Sequence, residues 1–567
     1  MTSPRPTGAA PGTATVDYLR VHRDTPRGPR RPPLFKQYPG SVRIPLPWPA
    51  APHPGRSAGP LALVGALTSA YAPTRLQFYT TAAMAALGGF PGTNTAPTLR
   101  GGVRRAVPSG GAYYPAELYL AVTGGYAPGP GVYHYDATHH TLETLATDDP
   151  QASLRAALGR APTPYTLLVS CRMWKNASTY GAFGYRLGCL DTGALAGQLL
   201  HRAPDGTDLR LVFDDQALDT LLGLDPDLES VYAVVRTGPA PAVPAAPAAH
   251  PSARTPDDPA PAAPADAPAA PAPDVNAVRG LESDLELRAA AHPSAVRLHH
   301  ASQRSGTADR SRDVPTWDAF RRSPGRDGPT AADRRRRPPA SGRSIDLPEP
   351  LDLPEPLDLP EPLDLPEPLV PARVDAALRS AVRFSGAAMT VRQLGTLLAW
   401  LLTGSRCDIT GTSPGAGQLA AYCLPSRVTG LAPGPYAYDP ATHRLRPAPG
   451  TAGDGSAPTD ALGGSRTAAA RLFLFADLDR GLRGHGDRWY RMQHVLAGIA
   501  VQRCRLAGTA LGLGCRPVSD YDSGGVRTMF GVPRGQVDVV QLLVGPAAPR
   551  AGVVDIGLSG PTDGREA

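Results

Sequence analysis

Lys36 and Lys175 are the only lysines in a chain of 567 residues that is otherwise rich in arginine. A lysine kept against such a bias points to a task arginine cannot perform. Proton transfer is one, because arginine stays charged while a desolvated lysine can lose its proton. Lys175 stands in the stretch WKNASTYGAFGYR, where Tyr180 is a second group able to give or take a proton. A glycine turn lies upstream: Arg105, then Pro108, Ser109, Gly110 and Gly111, followed by the run AELYLAV. Arg379 and Arg383 lie four apart around Ser380, and Arg550 follows much later. On a helix that spacing puts both guanidinium groups on one face, where they could grip an anion.

The elements that would position these residues fall into three regions. Residues 16–240 carry strand-like runs at Glu117–Thr123, Tyr165–Ser170 and Val231–Arg236, and a helix is expected over Leu190–His201 with Asp191 near its start. Residues 241–370 are too rich in Pro, Ala and Arg to build a core. They end in a hexapeptide, DLPEPL, repeated four times from Asp346 to Leu369. Its prolines remove amide donors and favour extended polyproline II structure, which makes this region a semi-rigid spacer. One helix-like island, Leu281–Ser302, interrupts it and is a candidate to dock on a domain. Residues 371–555 show helical periodicity at Val374–Val382 and Val391–Leu402, a longer helix from Tyr490 to Ala510, and strands at Leu472–Ala476 and Val537–Val544.

The first and third regions are copies of one another. GVYHYDATHHTL (Gly131–Leu142) matches GPYAYDPATHRL (Gly434–Leu445) without a gap, and YGAFGYRLGCLDTG (Tyr180–Gly193) matches HGDRWYRMQHVLAG (His485–Gly498). In the second pair Gly181, Tyr185, Arg186 and Gly193 fall on Gly486, Tyr490, Arg491 and Gly498. Two matches in the same order describe a fused pair of like domains.

Composition narrows the function classes. The formal net charge is +7, with much of the basic excess in the middle region, as at Arg334–Arg337. Such a run reads as a solvated stretch, and no nucleic-acid-binding module accompanies it. None of the six cysteines forms a C-x-x-C pair, so neither a zinc site nor a disulfide framework is expected, and the scattered histidines His22, His134 and His140 do not spell a metal site. There is no apolar signal-peptide core and no run long enough to span a membrane, so the expected location is the cytoplasm.

The stretch RAVPSGGAYYPAELYLAV (Arg105–Val122), followed by PGVYHYD, resembles the SagB-type, or streptolysin-type, azoline dehydrogenases of the FMN-binding nitroreductase superfamily. FKQYPGSVRIPLP (Phe35–Pro47) and LGLGCRPVSDYD (Leu511–Asp522) are similar to the same class. The resemblance implies an α+β fold: tandem nitroreductase-like domains, each a mostly antiparallel sheet with surrounding helices, forming an intrachain pseudo-dimer. It implies FMN bound between the domains, and oxidation of thiazoline or oxazoline rings to azoles in a ribosomally made peptide. The partners it implies are that azoline-containing precursor peptide and a cyclodehydratase or other modifying enzymes, and a homodimer of such chains stays open.

Residue by residue, the resemblance assigns the flavin phosphate to Arg379, Ser380, Arg383 and Arg550 of the third region. It assigns the ring side to Arg105, Pro108, Ser109, Gly110 and Gly111 of the first, with Gly512 and Gly514 also at the cofactor. Lys175 becomes a base or electrostatic partner and Tyr180 an acid/base or hydrogen-bond donor, although Thr179 holds the place beside Tyr180 where the class pattern has lysine. The first copy reads LTSAYAP where the third region has LRSAVRF, with Thr68 and Ala72 in place of the arginines. The third region's GTSPGAGQLAAY has drifted from the glycine turn and lacks a match for Glu117. One intact flavin site per chain is therefore expected. Two other readings remain: a nitroreductase that uses NAD(P)H on small molecules, and a degenerate scaffold subunit that binds without catalysis.

Overall fold

The computed structural model describes residues 12–21, 35–47, 60–80, 99–202, 206–237, 293–304, 345–346, 377–403, 407–409, 419–448, 465–550 and 553–557. The DLPEPL repeats beyond Asp346, the Arg334–Arg337 run, His22 and the drifted turn around Pro414 lie outside them.

The first half contributes β1 (Arg43–Pro45), β2 (Pro73–Thr80), β3 (Leu99–Arg105), β4 (Ala116–Val122), β5 (Gly131–Asp136), β6 (Thr141–Ala146), β7 (Tyr165–Arg172), β8 (Asp208–Arg210) and β9 (Glu229–Arg236). The second half contributes β10 (Ile345–Asp346), β11 (Met389–Thr390), β12 (Leu419–Pro425), β13 (Val428–Thr429), β14 (Tyr436–Asp439), β15 (Arg444–Pro447), β16 (Ala470–Asp477), β17 (Gly514–Val518), β18 (Gln536–Gly545) and β19 (Val553–Gly557). Two seven-stranded antiparallel sheets result, in the orders β1-β6-β5-β4-β7-β9-β8 and β10-β15-β14-β12-β16-β18-β17. The order is the same in both, strand for strand, as the repeat requires. β4 and β7 are buried at every position, so they read as continuous apolar runs rather than as alternating ones.

The copies agree in detail. Tyr135 Oη lies 3.0 Å from His140 Nδ1 in one hairpin, and Tyr438 Oη lies 2.9 Å from His443 Nδ1 in the other. Both histidines take left-handed backbone, at φ 53° and 51°.

The two halves meet through their longest helices, Phe183–Arg202 and Arg488–Ala510. A Cβ on Gly193 would stand 2.1 Å from the Val495 carbonyl oxygen, and one on Gly498 would stand 2.2 Å from that of Leu190. Gly193 and Gly498 are equivalent in the repeat, so a pseudo-twofold axis runs between them. Tyr185 and Tyr490, also equivalent, stack at 6.1 Å. Arg186 crosses to Asp538 (3.1 Å), and Arg491 crosses the other way to Asp215 (2.6 Å).

Segments outside the sheets close this seam. Asp487 accepts Gly12 N, Thr15 N and Thr15 Oγ1 at 2.7–2.9 Å and so caps the helix Thr13–Val21. Within the Leu281–Ser302 island, residues Pro293–Ser302 form a helix. Its His299 Nδ1 lies 3.2 Å from Tyr232 Oη, and Arg304 N, just beyond it, donates to Asp215. A third sheet, β19-β2-β3, joins the halves: the late strand β19 pairs with β2 of the first half.

Two expectations fail here. Leu378–Phe384 is extended, not helical. Ala381 N donates to Cys515 O (3.1 Å), Ser385 N to Pro546 O (2.9 Å) and Ala548 N to Arg383 O (3.0 Å), so the sheet edge takes the bonds a helix would make internally. The buried residues Leu378, Ala381 and Phe384 recur every three positions, which imitates helical periodicity. Thr68 and Ala72 do not correspond to Arg379 and Arg383 either. Thr68 belongs to the twelve-residue helix Pro60–Tyr71 and Ala72 follows it directly. The counterpart of that helix is the twelve-residue helix Val391–Leu402, which opens with a Thr390–Gln393 capping box.

Candidate active site

The glycine turn is built from both sides by charged groups. Ser109 Oγ donates to Asp191 Oδ2 at 2.6 Å, and Gly110 N lies 3.3 Å from both Asp191 oxygens. Tyr114 N donates back to Ser109 Oγ at 2.8 Å, while Lys175 Nζ donates to Tyr114 O at 3.1 Å. Asn176, next to Lys175, reaches Asp191 at 3.5 Å. Lys175 is 0% exposed and Asp191 8%. Burial pushes the Asp191 carboxyl up to about 7, against the bonds from Ser109, Gly110 and Asn176 and the nearby charge of Lys175. The long helix begins at Phe183, so Asp191 sits two turns inside it rather than near its start.

Within this turn Gly111, Ala112 and Tyr114 all have positive φ, at 63°, 57° and 49°. For the two non-glycine residues that conformation costs about 1–3 kcal/mol each. Asp191 bonds to one end of this segment and Lys175 to the other. Gly111 presents bare backbone to the tyrosine: a Cβ there would come within 2.9 Å of Tyr180 Oη and 2.7 Å of Tyr113 Cε2. Thr179 Oγ1 donates to Tyr113 Oη at 2.7 Å, which fixes the second ring against the turn.

Arg105 stands at the turn's entrance inside an aromatic cage. Its guanidinium is 3.6 Å from the Tyr71 ring centroid, 4.9 Å from Tyr114 and 5.5 Å from Phe35. Its buried Nε and Nη1 have no hydrogen-bond partner among the described residues. Behind it Glu117 accepts Tyr71 Oη at 2.6 Å and pairs with His134 at 3.6 Å and Arg172 at 3.5 Å. Burial would raise the Glu117 carboxyl, but His134, Lys175 and Arg172 hold it far below the usual range. His134 in turn lies 2.9 Å from Glu143. Burial would lower its imidazole, and the two carboxylates raise it instead. Lys36, the second lysine, donates to Glu229 and to Tyr119 Oη at 2.7 Å each. Both lysines are thus enclosed beside carboxylates.

The arginine side is assembled from both halves. Asp555 of β19 accepts Gln77 Nε2 (3.0 Å) and faces Arg550 (3.1 Å), Arg379 (3.5 Å) and Arg75 (3.8 Å). Three guanidinium groups around one carboxylate leave a positive excess. Burial pushes Arg75 down to about 10, with Arg550 and Arg379 adding to the fall against the pull of Asp555. Arg550 also donates to Ser380 O, so Arg379, Ser380 and Arg550 come together. The Arg379 side chain is 51% exposed and reachable by a ligand. Arg383 is exposed, and its carbonyl accepts Ala548 N. Gly514 lets the extended segment pass close, since a Cβ there would lie 2.7 Å from Ala381 Cβ, whereas Gly512, at φ 68°, faces open space.

Two cross-half bonds tie the halves together beside the cluster and just before the turn. Arg75 Nη1 donates to Leu378 O at 2.8 Å, and Arg505 Nη1 donates to Ala106 O at 2.9 Å. Ala106 and Leu378 belong to the same apolar core. Among the described residues the second half has no counterpart of Asp191 or of enclosed Lys175. Arg480, exposed, replaces Lys175; His485, stacked on Trp489, replaces Tyr180; and Leu496 replaces Asp191. Sequence reasoning misses Asp191, Arg75, Tyr113 and Asp555. For Asp191 a signal exists: a carboxylate in the first copy where the second has leucine. Arg75 and Asp555 are joined only by a strand exchange between halves, which no local pattern announces.

All six cysteines are buried free thiols. No metal-binding group of side chains occurs among the described residues, and none of their helices is long and apolar enough to cross a membrane.

Known proteins resemble this chain in sequence and in fold. The nitroreductase family matches residues 438–545. The microcin B17-processing protein McbC of Escherichia coli is 36% identical over 104 residues, 17% of this chain and 38% of that protein. The trifolitoxin-processing protein TfxB of Rhizobium leguminosarum bv. trifolii is 33% identical over 143 residues, 23% of this chain and 38% of its own length. The chain thus spans 38% of each of these two curated relatives. A crystal structure described as a nitroreductase from Anabaena variabilis superimposes with a TM-score of 0.62 at 21% identity, covering 94% of this chain and 99% of its own. That likeness extends over both halves and identifies the fold. Motif, repeat and fold together make the chain similar to SagB-type proteins: residues 438–545 match the nitroreductase family, and both halves share the nitroreductase-like fold.

Proposed function

We propose that this chain is an FMN-dependent dehydrogenase that oxidises thiazoline or oxazoline rings to azoles in a ribosomally made peptide. The observation that carries the reading is the divided site. A glycine turn, bonded by Asp191 and Lys175 and faced by Tyr180, stands in the first half, and an arginine cluster drawn from both halves is joined to that half by cross-half bonds of Arg75 and Arg505.

The residues suit a flavin mononucleotide. A phosphate carries roughly −1.5 to −2 charge and is held by arginines, and Arg75, Arg379 and Arg550 carry a positive excess beside the Ser380 backbone. Gly110 and Gly111 let Leu187, Tyr113 and Tyr180 close on the turn, and the unpartnered Nε and Nη1 of Arg105 are donors in want of an acceptor. When bound, the flavin supplies the hydride acceptor. The protein supplies the rest. Tyr180, against the turn, would relay the proton lost from the azoline ring, receiving it as it passes its own hydroxyl proton on. Enclosed Lys175 acts through charge and through its bond to Tyr114 O rather than by touching substrate. Its positive charge favours an ionised group beside it.

The precursor peptide and the other modifying enzymes as partners rest on the kinship to the microcin- and trifolitoxin-processing proteins. The decisive measurement is the visible spectrum of the purified chain, followed by mass analysis of an azoline peptide. The expected result is one flavin per chain and a loss of two hydrogens per ring. A ratio of two flavins per chain would refute the single divided site. Bleaching of the flavin by NAD(P)H without azole formation would move the function to small-molecule nitroreduction, and a colourless chain that FMN cannot reconstitute would leave only a scaffold.

A further inference from the structure

Asp191 belongs to neither the arginine cluster nor the proposed proton-handling pair, yet it is the acceptor on which the turn converges. Ser109 Oγ at 2.6 Å, Gly110 N at 3.3 Å and Asn176 Nδ2 at 3.5 Å all reach it. A buried carboxylate is tolerated only where donors satisfy it, and these three come from the turn and from the helix that carries Lys175 and Tyr180. We propose that Asp191 is the positioning residue of the ring-side site. It registers the Ser109–Tyr114 turn against the Met173–Tyr180 helix, while Lys175 fixes the far end of the turn through Tyr114 O. The role in catalysis rests on the flavin reading above; the role in holding the turn does not.

Three observations support this assignment independently of any cofactor. Asp191 and Lys175 grip opposite ends of one short segment from two different helices. The gripped segment contains two non-glycine residues in left-handed backbone, Ala112 and Tyr114, and such a conformation persists only when its surroundings over-determine it. The equivalent residue of the second half is Leu496, which cannot accept a hydrogen bond, and Arg480 there is exposed rather than enclosed. Among the described residues, the clamping pair is therefore a feature of the first half. The shift of the carboxyl toward neutrality comes from its burial, which outweighs the opposing bonds from Ser109, Gly110 and Asn176 and the charge of Lys175.

The test is amide hydrogen exchange on the full-length, flavin-free chain, comparing wild type with Asp191→Leu and Asp191→Asn. Leucine copies the second half and removes the acceptor; asparagine keeps an oxygen for Ser109 and Gly110. Asp191→Leu is expected to accelerate exchange of the Gly110–Tyr114 amides about tenfold or more, the factor that losing a hydrogen bond to a charged group implies. Exchange in β7 should be unchanged, and Asp191→Asn should restore most of the protection. Should the leucine variant fail to fold, Ser109→Ala removes the shortest bond from the other side and should loosen the same amides. FMN titration then reads the functional consequence: weaker flavin binding and an altered visible band in Asp191→Leu, with partial rescue by Asp191→Asn. Unchanged turn exchange in both Asp191→Leu and Ser109→Ala overturns the proposal whatever the flavin does. Loosened exchange in a chain whose wild type binds no FMN overturns the flavin reading and leaves the clamp.

Discussion

Lys175 and Lys36 show why residue type matters more than charge in this protein. Each ammonium is enclosed among carboxylates and carbonyls, where a compact point charge fits and a planar fork does not. Lys175→Arg should therefore fail to replace lysine. Azole formation is expected to fall about tenfold or more in both Lys175→Ala and Lys175→Arg, since each loses at least one charge-assisted bond. Initial rates on FMN-loaded protein check this, and undiminished azole formation in the alanine variant would remove Lys175 from the mechanism.

Asp191 gives a pH signature of its own. Its carboxyl is pushed up to about 7 in the fold against 3.8 in the unfolded chain, so between those values the native state holds a proton that the unfolded chain has released. Stability from this group is greatest below about pH 4 and falls as pH rises toward 7. Asp191→Asn should flatten that part of the urea stability profile, and a wild-type slope persisting in the variant would assign it elsewhere. His134 adds a slope of the same sign at higher pH. Its raised pKa stabilises the fold while the ring is charged, and that contribution is lost as pH rises above the unfolded value of 6.5 through the folded one.

At the scale of elements, the two crossing helices are the joint on which the site depends. Gly193 and Gly498 let the backbones touch, and Asp191 lies half a turn before Gly193 on the same helix. Gly193→Ala would place a methyl group 2.1 Å from the Val495 oxygen, so the helices must part. Overpacking of this kind costs about 1–3 kcal/mol. Thermal unfolding should show the loss, and the turn clamped by Asp191 should show faster amide exchange. An unchanged melting temperature would mean that the seam can give.

The repeat makes this joint legible in the sequence, because glycines recur at the same place in both copies. The ring-side turn is legible too, through its Gly-Gly step and the strand after it. The arginine segment misleads because Leu378, Ala381 and Phe384 repeat at an interval a helix also uses. Their backbone bonds are made by residues far along the chain, Cys515 and Pro546 among them. Periodicity records which side is buried, not who supplies the hydrogen bonds.

The whole molecule behaves as a dimer written on one chain, and its connectivity differs from its cohesion. Residues of both halves share the third sheet, the Asp215–Arg491 and Arg186–Asp538 crossings, and the stacked Tyr185–Tyr490 pair. Asp215 is wholly buried between Arg488 and Arg491, so separating the halves would strand charges that are costly to leave unpaired. Pro293–Ser302 lies on the seam, whereas the stretch from 238 to 292 lies outside the described residues. Cutting the chain within that stretch removes the covalent tie but none of these contacts. A tether supplies an effective concentration in the millimolar range at most, so halves bound more tightly than that remain together after the cut. The expected outcome is a cleaved protein that elutes from a sizing column at the volume of the intact one, with both fragments in equal amount, and that binds FMN as the intact chain does. Asp215→Asn should reverse this. With its two arginines left facing a neutral amide, the cleaved variant is expected to separate or precipitate. Should cleaved wild type fall apart under the same conditions, the spacer would be what holds the divided site together.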